Sequence, residues 1–119
     1  MPPSRAYPAG DVVITFRAVQ LTDLKPGSIV AARRNEDDLT PSGAVNHNKT
    51  GTITVTLVSP SPGNNAVAAM SDDAGLLVIA DSTGRDLVRA EHAWKNGFGG
   101  SPGQVVWTID AAKLELLDP

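Results

Sequence analysis

Thr50-Gly51-Thr52-Ile53-Thr54-Val55-Thr56-Leu57-Val58 is the stretch on which the fold turns. Ile53, Val55 and Leu57 fall on one side of an extended chain and Thr52, Thr54 and Thr56 on the other, the period of a strand with one face buried. Most of these residues branch at Cβ, which suits a pleated, half-buried surface better than a helix. Ser59-Pro60-Ser61-Pro62-Gly63 ends the strand, because proline has no amide N–H with which to continue a ladder.

Towards the N-terminus, Asp11–Gln20 also alternates, with Val12, Ile14, Phe16 and Ala18 on one side and Val13, Thr15, Arg17 and Val19 on the other. Lys25-Pro26-Gly27 predicts a turn, since proline presets φ and glycine supplies the unusual one. Ser28–Arg33 is the next strand and runs into Arg33-Arg34, whereas residues 1–10 are expected to be a flexible lead-in. Asn35–Lys49 is the longest polar run, and a compact domain rarely keeps so long an irregular loop without a use for it. It is expected to be an extended arm.

Towards the C-terminus, Asn64 or Asn65 can cap a short helix over Ala66–Asp72, with Val67 and Met70 on one face and Gly75 as its stop. Leu76–Asp81 predicts a strand, Ser82–Arg85 a turn and Asp86–Lys95 its hairpin partner. Asn96–Gln104, rich in glycine, reads as a linker to a last strand from Val105 to Leu117. Six strands and one short helix make the chain mainly β, an antiparallel β-sandwich or partly closed β-barrel. With 119 residues it is one domain, spanning 1–119.

Aromatic residues make up only 4% of the chain, so Val, Ile, Leu and Ala must fill its core. The absence of cysteine excludes disulfides and thiolate metal sites. No apolar run approaches the about 20 residues of a membrane-spanning helix, and Met1–Pro8 has no signal-peptide core. The product is therefore expected to stay in the cytoplasm where it is made. A net charge of −3, with 10 basic against 13 acidic residues and no basic block, argues against a dedicated nucleic-acid binder.

The chemistry-bearing residues do not assemble into a motif. His47 lies in the polar run and His92 mid-strand between Glu91 and Ala93, and catalysis or metal binding would need the two brought together with a carboxylate. Glu36-Asp37-Asp38 are adjacent, whereas hard-cation loops space their ligands at alternate positions. Gly97-Phe-Gly-Gly-Ser-Pro-Gly103 precedes a strand rather than a helix, so no helix N-terminus stands ready for a phosphate. No serine lies in a nucleophile elbow. The expectation is a protein with no catalytic, cofactor or metal site.

What remains is an assembly problem, because strands rich in threonine and alanine leave edges that monomers usually protect with charge or proline. The order of segments resembles phage tail tube proteins, particularly those of contractile-tailed phages. The resemblance rests on Asp11-Val-Val-Ile-Thr-Phe16, Glu36-Asp-Asp-Leu-Thr-Pro-Ser-Gly43, Lys49-Thr-Gly-Thr-Ile-Thr-Val-Thr-Leu-Val-Ser-Pro-Ser-Pro-Gly-Asn-Asn65 and Gln104-Val-Val-Trp-Thr-Ile-Asp-Ala-Ala-Lys-Leu-Glu-Leu116. It covers roughly Asp11 to Leu117 and departs from the family at Ala44-Val45-Asn46-His47 and at the longer Ser-Pro-Ser-Pro-Gly-Asn-Asn connection.

The resemblance implies a structural virion protein. Such subunits form hexameric rings whose inner sheets join into one β-barrel, and the rings stack into a tube that conducts DNA during ejection. It implies as partners further copies of the chain, a tail sheath, a baseplate or tube initiator and a tail terminator, with DNA passing transiently and no membrane insertion of the subunit. Within it, Arg34, Asn35, Glu36, Asp37, Asp38, Leu39, His47 and Lys49 are expected to belong to an arm touching a neighbouring subunit or ring. Thr52, Thr54, Thr56, Thr108 and Asp110 are candidates for the lumen face. The inner tube of a secretion or contractile injection apparatus shares this architecture. A monomeric β-sandwich that binds a ligand is the alternative from another class, and it requires an aromatic-lined cleft. Tyr7, Phe16, Trp94, Phe98 and Trp107, however, fall on separate segments.

Overall fold

The computed structural model describes residues 4–34, 38–39, 45–46, 50–71 and 73–117, with the side chains of 38–39 and 45–46 left aside. Its main body is one antiparallel sheet of eight strands. In chain order the strands are β1 (Ser4–Pro8), β2 (Val12–Phe16), β3 (Val19–Gln20), β4 (Ile29–Arg34), β5 (Asp38–Leu39), β6 (Val45–Asn46) and β7 (Gly51–Val58). The helix α1 (Pro62–Ala69) then precedes β8 (Gly75–Asp81), β9 (Asp86–Ser101) and β10 (Gln104–Leu116). The strands lie in the order β1-β4-β7-β10-β9-β8-β2-β3, while β5 and β6 form a two-stranded ladder of their own.

The alternation read in β7 is the one observed: Ile53, Val55 and Leu57 are fully buried. They join Ile14, Phe16, Val30, Leu77, Ile79, Val88, Ile109 and Leu114 in a single core, with Val67 of α1 closing it. These residues all lie on one face of the sheet, so the sheet must curl around them. The sheet is not closed into a barrel. Its curl is held instead by a strap, Leu21–Lys25, which leaves the short end strand β3 and returns to β7. Leu24 bridges Leu57, the Lys25 amide donates to Thr56 O at 3.0 Å, and the Val58 amide donates to Asp23 O at 2.8 Å. The strap occupies the edge of β7 beyond the last pairing of β4, Ala31 with Thr54. Among the described residues no helix is long and apolar enough to cross a membrane.

Four boundaries differ from the reading of the sequence, each for a local reason. Asp11–Gln20 is not one strand, because Arg17 and Ala18 turn it back at φ 54° and 66°. Ser4–Pro8, expected to be a flexible lead-in, is a strand that pairs along its length with Ile29–Arg33. The helix begins earlier than Ala66 and is capped by Ser61 rather than by an asparagine. Ser61 Oγ accepts from the Asn64 amide at 3.1 Å and donates to Val58 O at 2.6 Å, and Pro62 takes the first helical position, where no N–H is needed. Finally, Asn96–Ser101 is no linker. It continues β9, and a tight turn at Pro102-Gly103, with Gly103 at φ 87°, folds it onto β10.

Candidate functional site

The register of β7 and β10 sets Thr54 opposite Thr108 and Thr52 opposite Asp110. On the far side of β7, Ala31 lies opposite Thr54 and Arg33 opposite Thr52. Side chains directly across a ladder share a face, so Thr52, Thr54, Thr108 and Asp110 lie together on the face away from the core. They are half-buried, and Gly97 continues the row beside Thr108. Thr56 belongs to the same face but is only 9% exposed, beside Val106. Asp110 is fixed in this row: Thr52 Oγ1 donates to it at 3.3 Å and Asn96 Nδ2 at 2.5 Å. The result is a mostly uncharged surface of small side chains, in which Arg33 and Asp110 are the charges along the paired stretch of β4, β7 and β10, with Trp94 of β9 opposite Asp110.

Of the expected arm, Arg34 ends β4 opposite Gly51. Asp38 and Leu39 form β5 and pair with Asn46 and Val45 of β6. Asn35, Glu36, Asp37, His47 and Lys49 lie outside the described residues.

Several stretches of backbone among the described residues have a strand on one side only, including the end strand β3 and Ala112–Leu116 of β10, which pairs there with β9 alone. β1 ends the sheet order. β9 is paired with β10 out to Ser101, but its pairing with β8 stops at Ala93 opposite Gly75. From Trp94 to Ser101, therefore, β9 offers an outer edge with no strand beside it among the described residues. At this edge a hydrogen-bonding chain has unmet donors and acceptors, the usual invitation to a further strand.

Beside that edge lies a cleft of about 550 Å³ between α1 and the β9–β10 hairpin, lined by Asn64, Ala68, Lys95, Phe98, Val105 and Trp107. Trp107 is 6% exposed, and its indole N–H donates to Asn64 Oδ1 at 2.8 Å. Phe98 stands over it with ring centroids 5.1 Å apart, yet remains 71% exposed. Lys95 Nζ lies 5.7 Å from the Trp107 ring centre and donates to the last carbonyls of the helix, Ala68 O and Met70 O, where the helix dipole is negative. The two rings are distant in sequence terms but cross-strand partners in space, Trp107 opposite Phe98. Sequence reasoning that kept them apart missed this cleft. The signal was Pro102-Gly103, which sits midway between them and sets the register of the hairpin.

Among the described residues no three His, Asp or Glu side chains gather to hold a metal ion. His92 is exposed on β9. Lys113 and Glu91, at 3.7 Å and both more than half exposed, form a surface ion pair of the kind that contributes little. No protein-family model matches the chain, and no curated protein matches it.

Proposed function

We propose that this chain is the subunit of a bacteriophage tail tube, assembling into stacked, hexameric rings whose lumen conducts DNA. The observation that carries the reading is that the sheet has open backbone edges, among them β1 and the outer half of β9. A chain with two different open edges can satisfy both by head-to-tail pairing, and such heterologous contacts generate rings or filaments. The row of Thr52, Thr54, Thr108 and Asp110 supports the same reading. Tight binding to DNA comes from cations neutralising phosphates, and along the described, paired stretch of β4, β7 and β10 this face offers Arg33, offset by Asp110. Such a wall lets DNA slide. In this reading the assembled chain belongs to the virion, with sheath, baseplate and terminator proteins as its partners, and the inner tube of an injection apparatus is its architectural twin.

One observation favours a second reading. The Phe98–Trp107 cleft with Lys95 at its side has the lining of a small-ligand site, an apolar wall with a few polar groups. Negative-stain electron microscopy, together with sizing at several concentrations, separates the two. Rings or tubes with a central hole are expected. A strict monomer at every concentration, binding a small aromatic molecule in the cleft, would replace the tube reading with that of a ligand-binding module.

A further inference from the structure

We infer that the outer edge of β9 takes β1 of a second copy as an additional antiparallel strand, in a register that sets Tyr7 opposite Phe98. The inference rests on the tube reading and adds to it which two edges meet and how. Length allows it: β1 has five residues and the unpaired run Trp94–Ser101 has eight.

The faces of the two strands also match. In β1, Ala6 lies opposite Ala31 on the outer, small-residue face, and Tyr7 lies opposite the fully buried Val30 on the core side. In β9, Gly97 and Gly99 lie opposite Thr108 and Val106 on the outer face, while Phe98 lies opposite Trp107 on the core side. Aligning Tyr7 with Phe98 therefore puts Ala6 against Gly99 and Pro8 against Gly97, extending the small-residue face across the joint. On the other side the Tyr7 ring meets the half-open aromatic cleft, where Phe98 is 71% exposed. Aromatic pairs across neighbouring strands are among the stronger sheet contacts.

Charge fixes the direction. Arg5 is on the same side of β1 as Tyr7, and Lys95 is on the same side of β9 as Trp107. A parallel addition would bring Arg5 towards Lys95. The antiparallel one carries it to Gly100, near the hairpin tip, and like charges are kept apart. Proline supports the assignment too: Pro8 has no N–H to donate and sits at the end of the strand, where a ladder tolerates it.

The chain has no cysteine, so disulfide trapping tests the register without background. In a single chain β1 and β9 are four strands apart in the sheet order, far beyond the about 7 Å between Cα atoms that a disulfide can bridge. Any bond is therefore between copies. Neither Gly97 nor Gly99 has an atom within 4 Å of where a Cβ would stand, so both accept the change. The full-length double variant Ala6→Cys/Gly99→Cys, oxidised under the conditions of the microscopy, is expected to give a ladder of covalent multimers that collapses on reduction. Rings that form normally, with no ladder from Ala6→Cys combined with Gly97→Cys, Gly99→Cys or Ser101→Cys, would overturn the edge assignment and leave the tube reading standing. A dimer from Ala6→Cys alone would also overturn it, since β1 would then pair with itself. Absence of both rings and ladder overturns the two together.

Discussion

Replacing Gly63 by alanine sets two effects of opposite sign against each other, so the sign of the result tests how α1 is seated. On helix propensity alone the change should help, by at most about 1 kcal/mol. The surroundings oppose it. A Cβ on Gly63 would stand 2.1 Å from Thr22 O and 2.8 Å from Thr22 C, with Asp23 Oδ2 at 3.0 Å. The first two belong to the backbone of the strap, which is itself hydrogen-bonded to β7 through Asp23 O and the Lys25 amide. The strap cannot yield without losing those bonds, so the helix must lift. Overpacking of this kind costs about 1–3 kcal/mol. Lifting also breaks the bond from the Gly63 amide to Asp23 Oδ2, 2.8 Å long, an N-terminal helix contact worth about 1 kcal/mol. Steric strain and the lost contact outweigh propensity, leaving about 2 kcal/mol of destabilisation. At about 4 °C per kcal/mol for a domain of this size, Tm should fall by about 8 °C. The assay is thermal unfolding by circular dichroism at a concentration where the protein is monomeric, because assembly would raise both values. Tryptophan emission, read alongside, should shift to the red as Asn64 is drawn off the Trp107 indole. A Gly63→Ala protein that melts at or above the parent temperature would refute the seating of α1 on the strap.

Three further outcomes follow from the same structure. Asn64→Ala leaves the nearly buried Trp107 N–H without its acceptor and should cost about 1–3 kcal/mol in a chemical denaturation curve; an unchanged midpoint would mean that water serves the indole equally well. Asp81 accepts from Thr83 Oγ1 at 2.6 Å and from the amides of Thr83 and Arg85, and these bonds, the Thr83 hydroxyl foremost, hold its carboxyl below the usual value. A depressed folded-state pKa stabilises above the unfolded-state value and is lost as pH falls through the folded one, so Asp81→Asn should flatten the acid limb of a Tm-against-pH curve; an equally steep limb argues against it. Deleting Asn35–Lys49 should leave a cooperatively melting core but no tubes in the microscope, and tubes of normal length after the deletion would remove the arm from the assembly.

How much of this was legible in the sequence depended on whether a residue's role was set by its own neighbours. β7 was legible because burial of Ile53, Val55 and Leu57 follows from alternation alone, and so was the Lys25-Pro26-Gly27 turn, where Gly27 takes φ 81°. The reversal at Arg17-Ala18 was not. Neither residue favours a positive φ, and what holds them is distant: the Arg17 amide donates to Leu76 O at 2.8 Å and its guanidinium to Ser71 O at 2.9 Å. Ser61-Pro62 was a legible helix start that the neighbouring asparagines obscured. Asn96–Ser101 failed for the opposite reason, since glycine has little strand preference of its own, and only the pairing with Gln104–Thr108 makes it a strand. The Thr52, Thr54, Thr108 and Asp110 row could be guessed from two alternating strands. That those strands are neighbours, and that the cleft lies beside them, required the register.

The glycines of the β9 tip link the fold of the subunit to its assembly. A monomer gains nothing by running Gly97, Gly99 and Gly100 as a strand: each forfeits side-chain packing and orders a floppy backbone, and at Gly97 and Gly99 no neighbouring atom demands the missing Cβ. The same composition becomes sensible if another chain lies against that edge, since small residues let a second backbone approach closely. The partial burial of Phe98 against Trp107 fits this too, because a ring left 71% exposed over a nearly buried one is half of a contact. Substituting Gly99→Val therefore separates the two accounts. A β-branched residue has the higher strand preference and its Cβ meets no atom within 4 Å in the subunit, so the monomer should melt no lower than the parent. If the edge is where copies meet, the added methyls should nonetheless raise the concentration needed for rings, seen by sizing across the range where the parent protein assembles. Rings that form as readily from Gly99→Val as from the parent would mean that this edge faces solvent in the assembly.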